Sequence, residues 1–358
     1  MTILFLCRNQ DLNKERFGYA RAFRRKGIHL VCAPADCPLD ADIYSLLRLC
    51  PESPALIVQP ETAFPLLPRG LTEVDIPTAC FQIDTHAYTY RRLRWSMLFD
   101  YAILFHPGFE ETFKQAGHPR PITLPHAVDA EVFQGPELER VYEVGWVGRI
   151  DAPIYKTRQR VLGLLSERFR MNEWWRPHSY EEMAEVYRRS KIVVNVGGDD
   201  YPEDANLRVF EAMAAGALLI TQLPSELFLL GFEEREHFVG YRKEQELPDI
   251  IRYYLDHESE RRRIAEAGRE KVLREHTYDE RVSQLVEILQ RDEGNLFAPA
   301  RSWPEDKVRL VYLDYFAGAG LLDLALREFV EIMKRNRRTA LYGLRPLAGA
   351  LRRRWRWR

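Results

Sequence analysis

Tyr142-Glu143-Val144-Gly145-Trp146-Val147 reads as a first β-strand begun for a second time, and this restart decides the fold. Upstream of it, six short apolar runs recur about every 20 residues: Ile3–Leu6, His29–Cys32, Ala55–Val58, Ala79–Ile83, Tyr101–Phe105 and Pro121–Leu124. Most of them enclose a helix-like stretch, such as Lys14–Lys26 or Pro107–Ala116. Strands spaced by helices in this way predict βαβ crossovers and a parallel sheet. Downstream of the restart, Ile192–Val196 and Ala217–Thr221 continue the pattern, with helices expected over Ser179–Arg189 and Asn206–Ala215. The expected fold is therefore α/β, with two doubly wound, Rossmann-like domains.

The turn-forming Gln134-Gly135-Pro136-Glu137 marks the linker, so residues 1–136 are expected to form one domain and residues 137–291 a second. The second ends in helices from Leu247 to Arg291, with a break at His276-Thr277-Tyr278. Residues 292–331 read as a helical extension, in which Gly318 and Gly320 interrupt a helix over Val308–Met333, and residues 332–358 as a basic tail. Ligands of such sheets bind at the carboxyl ends of the strands, so the chemistry is sought there.

With 46% hydrophobic and 29% charged residues, the 358-residue chain is neither disordered nor collagen-like. Its formal charge of −1 hides an asymmetry: ten of the 52 Lys/Arg and none of the 53 Asp/Glu lie in 332–358, which leaves −11 on the rest. No apolar run reaches the roughly 18 residues that span a bilayer, and Met1–Leu6 has no basic lead. The expectation is a cytoplasmic protein that is neither exported nor membrane-spanning. Cys7, Cys32, Cys37, Cys50 and Cys80 show no zinc-finger or CxxC spacing and read as reduced thiols, Cys7 and Cys32 as small buried hydrophobes.

The most informative stretch runs from Gly197-Gly198-Asp199-Asp200 through Glu203 to Asn206-Leu207-Arg208-Val209-Phe210-Glu211-Ala212-Met213-Ala214-Ala215-Gly216. A strand, a glycine-containing loop and a helix starting near Asn206 would present unpaired N–H groups and the positive end of the helix dipole, which is an anion site. Val147-Gly148-Arg149 closes the restarted strand, and Lys156 follows at a helix start. Two such cations can neutralise a diphosphate, Arg by a bidentate fork and Lys as a point charge. A surface salt bridge is the competing role for Arg149.

From about Asp100 to Leu289 the chain resembles the GT-B glycosyltransferases, in particular the spore-maturation (CgeB-type) branch related to the retaining group 1 family. The matching pieces are Phe99-Asp100-Tyr101, Leu124-Pro125-His126-Ala127-Val128-Asp129, Val147-Gly148-Arg149, Asn206–Gly216 and His276-Thr277-Tyr278-Asp279-Glu280-Arg281. The resemblance implies a nucleoside-diphosphate-sugar donor held by the second domain and an acceptor held mainly by the first. It implies Glu211 on the donor ribose, Arg149 and Lys156 on the diphosphate, and Glu203, Asn206 and Leu207 near the sugar. Glu203 and Glu211 fit the family's E-x7-E spacing, although Asp204-Ala205-Asn206 stands where the family has a Gly-rich turn.

Asp84-Thr85-His86 follows the fourth apolar run, so His86 and Asp84 are candidates to handle a proton or bind acceptor hydroxyls; an Asx-turn with a solvated imidazole is the alternative. Arg8, Asn9 and His126 are further candidate cleft residues. Asp199-Asp200 suggests a metal, but a helix terminus and cations can carry the diphosphate charge, so no cofactor and no essential metal are expected. The tail, ending Arg352-Arg353-Arg354-Trp355-Arg356-Trp357-Arg358, suits the inner face of an anionic plasma membrane. A solvated extension or nonspecific attraction to nucleic acid competes with that reading, and no specific nucleic-acid partner is expected. The function expected is transfer of a sugar to a glycan, lipid-linked or protein acceptor in cell-surface polysaccharide synthesis, with retention and without metal. The alternatives are a sugar-nucleotide epimerase or hydrolase, or a non-catalytic surface or coat-assembly protein on the same fold.

Overall fold

The computed structural model describes residues 1–8, 18–61, 66–136, 138–151, 155–196 and 201–356, with side chains through 352. The chain forms two compact units, one of Met1–Lys14, Gly27–Leu124 and Ile288–Arg358, the other of Glu15–Lys26 and Pro125–Glu287.

All six apolar runs of the first unit are strands: β1 (Thr2–Arg8), β2 (His29–Ala33), β3 (Leu56–Gln59), β4 (Thr78–Gln82), β5 (Tyr101–Leu104) and β6 (Pro121–Thr123). They pair in parallel in the order β2-β1-β3-β4-β5-β6. β3, β4 and β5 are buried along their whole length, which is why they read as continuous apolar runs without alternation. The second unit carries β7 (Tyr142–Gly145), β8 (Ser190–Asn195), β9 (Leu218–Gln222) and β10 (Val239–Tyr241), parallel and in the order β10-β9-β8-β7. β10 has only three residues, one of them Gly240, and carries too little pattern to be recognised in the sequence.

The units divide at Leu124/Pro125, upstream of the expected linker. The reason lies in backbone and charge. Val128 N–H donates to His276 O and Tyr278 N–H to Val128 O, both at 3.0 Å. Buried Asp129 pairs with Arg21 and Arg25 from the helix Gly18–Arg25, and Arg25 also forks onto Asp279 at 2.9 and 2.6 Å. That helix, early in the sequence, therefore belongs to the second unit.

Residues 292–331 are not a separate body either. Helices Glu305–Gly318 and Leu322–Arg335 bury Leu310, Leu313, Phe316, Ala325 and Ile332 in one core with Leu4, Ile57 and Leu104. Asp100, fully buried, is the anchor. Its carboxylate accepts from Thr78 N and Oγ1, from Phe297 N at 2.6 Å and Ala298 N at 2.8 Å, and pairs with Arg301 at 3.2 Å. The tail is helical over Arg337–Arg356 and buries Ala340, Leu347 and Ala350 in the same core. Among the described residues no helix is long and apolar enough to cross a membrane. All five cysteines are free; Cys7 is buried, whereas Cys32 is only partly so.

Candidate functional site

In the second unit, chemistry gathers where β7 and β8 end. Trp146, fully buried, follows β7; Asn172 holds it in place, accepting from Trp146 N at 2.9 Å and donating to its carbonyl at 3.0 Å. Two guanidinium groups lie over its indole, Arg158 at 5.7 Å and Arg208 at 5.3 Å. Arg158 comes from the helix Lys156–Ser166 and donates to Val196 O and Arg149 O. Arg208 comes from the first turn of Leu207–Ala214; it donates to Val147 O at 3.0 Å and to Asn195 Oδ1 at 2.7 Å. Asn195, the last residue of β8, is itself oriented by its own donation to Thr221 Oγ1 on β9. A Cβ at Gly148 would stand 2.5 Å from an Arg208 guanidinium nitrogen and 2.9 Å from the Trp146 ring, so a larger residue there would displace them.

Asn206 caps the helix Leu207–Ala214: its side-chain oxygen accepts from Arg208 N at 3.1 Å, and its amide donates to Asn195 at 3.4 Å. Helix start, strand end and two cations thus occupy one locus, with Leu207 as the first helical residue. N–H groups at a helix start and fixed guanidinium groups favour an anion. Glu211 lies on the buried side of this helix, 4% exposed, with its charge near the Tyr278 phenol.

The other expected residues divide. Lys156 opens its helix, as the sequence suggested, and is exposed. Arg149 is exposed and forms the surface salt bridge, 3.2 Å to Asp151. Glu203 accepts from Ser225 N at 3.1 Å, at the start of the helix Ser225–Leu229; these hydrogen bonds hold its carboxyl below the usual range. The buried acid there is Glu226, in the first turn of that helix, which accepts from Tyr201 Oη and Ala205 N, both at 3.1 Å. His126 is buried in the second unit. Gly197–Asp200, with the Asp pair weighed for a metal, lie outside the described residues, as does Asn9.

In the first unit, Asp84 and His86 follow β4. Desolvation by its surroundings and the Glu61 carboxylate push the Asp84 carboxyl up, although the residue is largely solvent-exposed. The His86 ring meets that of His106 edge-on at 5.4 Å. Arg8 ends β1 and donates to Cys37 O at 3.0 Å.

Arg158, Arg208, Trp146 and Glu226 were given no role in the sequence. Arg208 stands inside the quoted Asn206–Gly216 motif, whereas Trp146 lies inside the expected strand Tyr142–Val147, which the structure ends at Gly145.

A family-model match falls within this same unit, and likenesses to solved structures extend over most of the chain. Residues 148–287 match a family model described as glycosyl transferase-like. Sucrose-phosphate synthase from Thermosynechococcus elongatus is similar in structure, with a TM-score of 0.55 at 13% identity over 81% of this chain and 98% of that one. A glycosyltransferase from Rickettsia africae gives 0.56 at 10% identity, over 82% and 99%. Anabaena HepE, solved in complex with UDP and glucose, gives 0.54 at 14% identity, over 81% and 100%. The fold is GT-B. The glycosyl transferase-like segment begins at Gly148 and ends within the helix Tyr278–Arg291, so it holds Arg208, Asn195 and the helix Leu207–Ala214. None of the curated proteins matches the chain.

Proposed function

We propose that this protein is a glycosyltransferase that moves a sugar from a nucleoside-diphosphate donor to an acceptor hydroxyl, with retention and without a metal. The observation that carries the reading is the locus at the ends of β7 and β8, where Arg158, Arg208 and the start of the helix Leu207–Ala214 converge within the glycosyl transferase-like segment. HepE, of the same fold, is solved with UDP and glucose, which supports a nucleotide-sugar donor. Glu211 would accept from the vicinal ribose hydroxyls, an arrangement that suits a carboxylate with two acceptor oxygens. Arg149 would leave its exposed pair with Asp151 for the diphosphate, joined by Lys156; little is lost in that exchange, because exposed pairs contribute little to stability. As the diphosphate departs, these cations would stabilise the charge that develops on it. Asp84 and His86 are proposed for the acceptor side.

We extend the proposal to an anionic membrane on the cytoplasmic side. The helix Arg337–Arg356 buries Ala340, Leu347 and Ala350 and leaves Arg338, Leu341, Tyr342, Arg345 and Arg352 exposed, cations with apolar side chains between them. Such a face suits the headgroup boundary of anionic lipid.

The test of the activity is release of nucleoside diphosphate from UDP-, GDP-, ADP- and dTDP-sugars, alone and with acceptor mixtures, with and without EDTA. The proposal expects release from one donor that an acceptor accelerates and EDTA leaves unchanged. No release from any donor would overturn it in favour of a binding protein on the same fold.

A further inference from the structure

The first unit has a pocket of its own at the ends of β3 and β4, about 260 Å³ in volume, which the C-terminal extension completes. Gln59 and Phe81 come from the strands, Tyr88, Arg91 and Trp95 from the helix Thr89–Ser96 and its cap, and Tyr315 from the helix Glu305–Gly318. Its volume lies just below the roughly 300–1,000 Å³ of most ligand pockets, room for one ring and not for a chain of them.

Its charge is positive. Glu61 is engaged by Arg92 in a fork of 2.8 and 2.7 Å, so these two lining charges cancel. Arg91 has no carboxylate partner among the described residues; its guanidinium lies over the Tyr88 ring at 5.6 Å. It also passes beside Gly318 of the extension, where a Cβ would stand 3.1 Å from it.

The walls are aromatic. Trp95 and Tyr315 meet edge-on at 5.2 Å, and Gln59 fixes the Tyr315 hydroxyl at 3.2 Å. The buried Trp95 Nε1–H has no hydrogen-bond partner among the described residues. Ile83 N–H donates to Glu61 at 2.7 Å, so Asp84, proposed above for the acceptor, is the next residue beyond the pocket wall.

We propose that this pocket binds a single sugar ring that carries an acidic group, either a carboxylate or a phosphate, and that such a ring is the acceptor. The apolar face of the ring would lie on Trp95 and Tyr88, and the acidic group would meet Arg91. The assignment of the ring as acceptor rests on the glycosyltransferase reading, but its binding does not.

The experiment is ligand-observed saturation-transfer NMR on the full chain with methyl glucuronide, glucose 6-phosphate and methyl glucoside, and with UDP in a separate titration. The proposal expects one or both acidic sugars to bind, and the neutral glucoside about tenfold more weakly, the scale of one charge-assisted contact. Arg91→Gln should remove that preference, and Trp95→Phe should weaken all the sugars that bind. Arg94→Gln, on the same helix but paired with Asp314, should change nothing. Equal binding of acidic and neutral sugars, binding of none, or a preference that survives Arg91→Gln would overturn the proposal. The UDP titration reports on the donor reading independently, so either can fail while the other stands.

Discussion

Arg208 Nη1 donates to Asn195 Oδ1 at 2.7 Å and so fastens the first turn of the helix Leu207–Ala214 to the last residue of β8. Its Nε reaches Val147 O at the end of β7, so a single guanidinium spans two strand ends and a helix start. Fixed donors of this kind are organised before a ligand arrives, which is what makes them useful against developing charge.

Arg208→Ala removes both hydrogen bonds and leaves Asn195 Oδ1 with only the longer contact from Asn206. The expected loss is about 1.5–3 kcal/mol in urea denaturation, the scale of hydrogen bonds to a charged group. Arg208→Lys should not restore it, because one ammonium cannot reproduce the fork.

Glu203 is bound to the start of the helix Ser225–Leu229, so Glu203→Ala should lower stability by about 0.5–1 kcal/mol, as loss of an exposed cap does. If capping is its whole role, nucleotide affinity stays at the wild-type value. A large drop in donor turnover with an unchanged melting temperature would instead favour the place near the donor sugar that the family resemblance implies.

That pair of outcomes shows what the sequence could and could not carry. β3, β4 and β5 were legible because each is an apolar run buried along its whole length, and the helix at Leu207 because Asn206 is a good cap. The motif around Glu203 and Glu211 was equally visible, but spacing does not tell which hydrogen bonds a carboxylate makes. Glu203 met a helix start, and the buried Glu226 had no sequence signal. The placement of residues 292–358 was hidden for another reason. It depends on Asp100 meeting Phe297, Ala298 and Arg301, a contact across some two hundred residues that no periodicity announces.

Asp100→Ala should therefore loosen the extension. Breaking a buried, hydrogen-bonded ion pair by removing one partner costs about 3–5 kcal/mol. Limited proteolysis should show faster cleavage between residues 292 and 304 than in the wild type, while Asp42→Ala, at an exposed helix cap, should not have that effect.

Acid should destabilise the fold through buried histidines. Burial depresses His118 to about 4, and Nδ1 accepts from Arg120 N, so protonation there would break that bond. His276 is depressed to about 3 by burial and by Arg281, whose guanidinium donates to its Nδ1. In both, the unfolded chain takes up the proton first, at its ordinary value near 6.5. The stabilisation is thus full above about pH 6.5 and is lost as pH falls toward 4, on the order of 3 kcal/mol for His118. Melting temperature against pH should fall over this window, and less steeply in His118→Gln.

The exposed cations of the tail should bind anionic vesicles. Deleting residues 352–358 should weaken cosedimentation with phosphatidylserine vesicles, salt should weaken it in the intact chain, and neutral vesicles should not bind. An intact chain that ignores anionic vesicles at low salt would remove the membrane from the account.

The proposed binding of a nucleoside diphosphate beside the helix Leu207–Ala214 can be measured by calorimetric titration of UDP and GDP into the wild type and into Glu211→Gln. The wild type should bind one of them, and Glu211→Gln should bind it more weakly by about 1.5–3 kcal/mol, the scale of charge-assisted hydrogen bonds, with its melting temperature near the wild-type value. Binding of neither nucleotide by the wild type, or undiminished binding by Glu211→Gln, would contradict it.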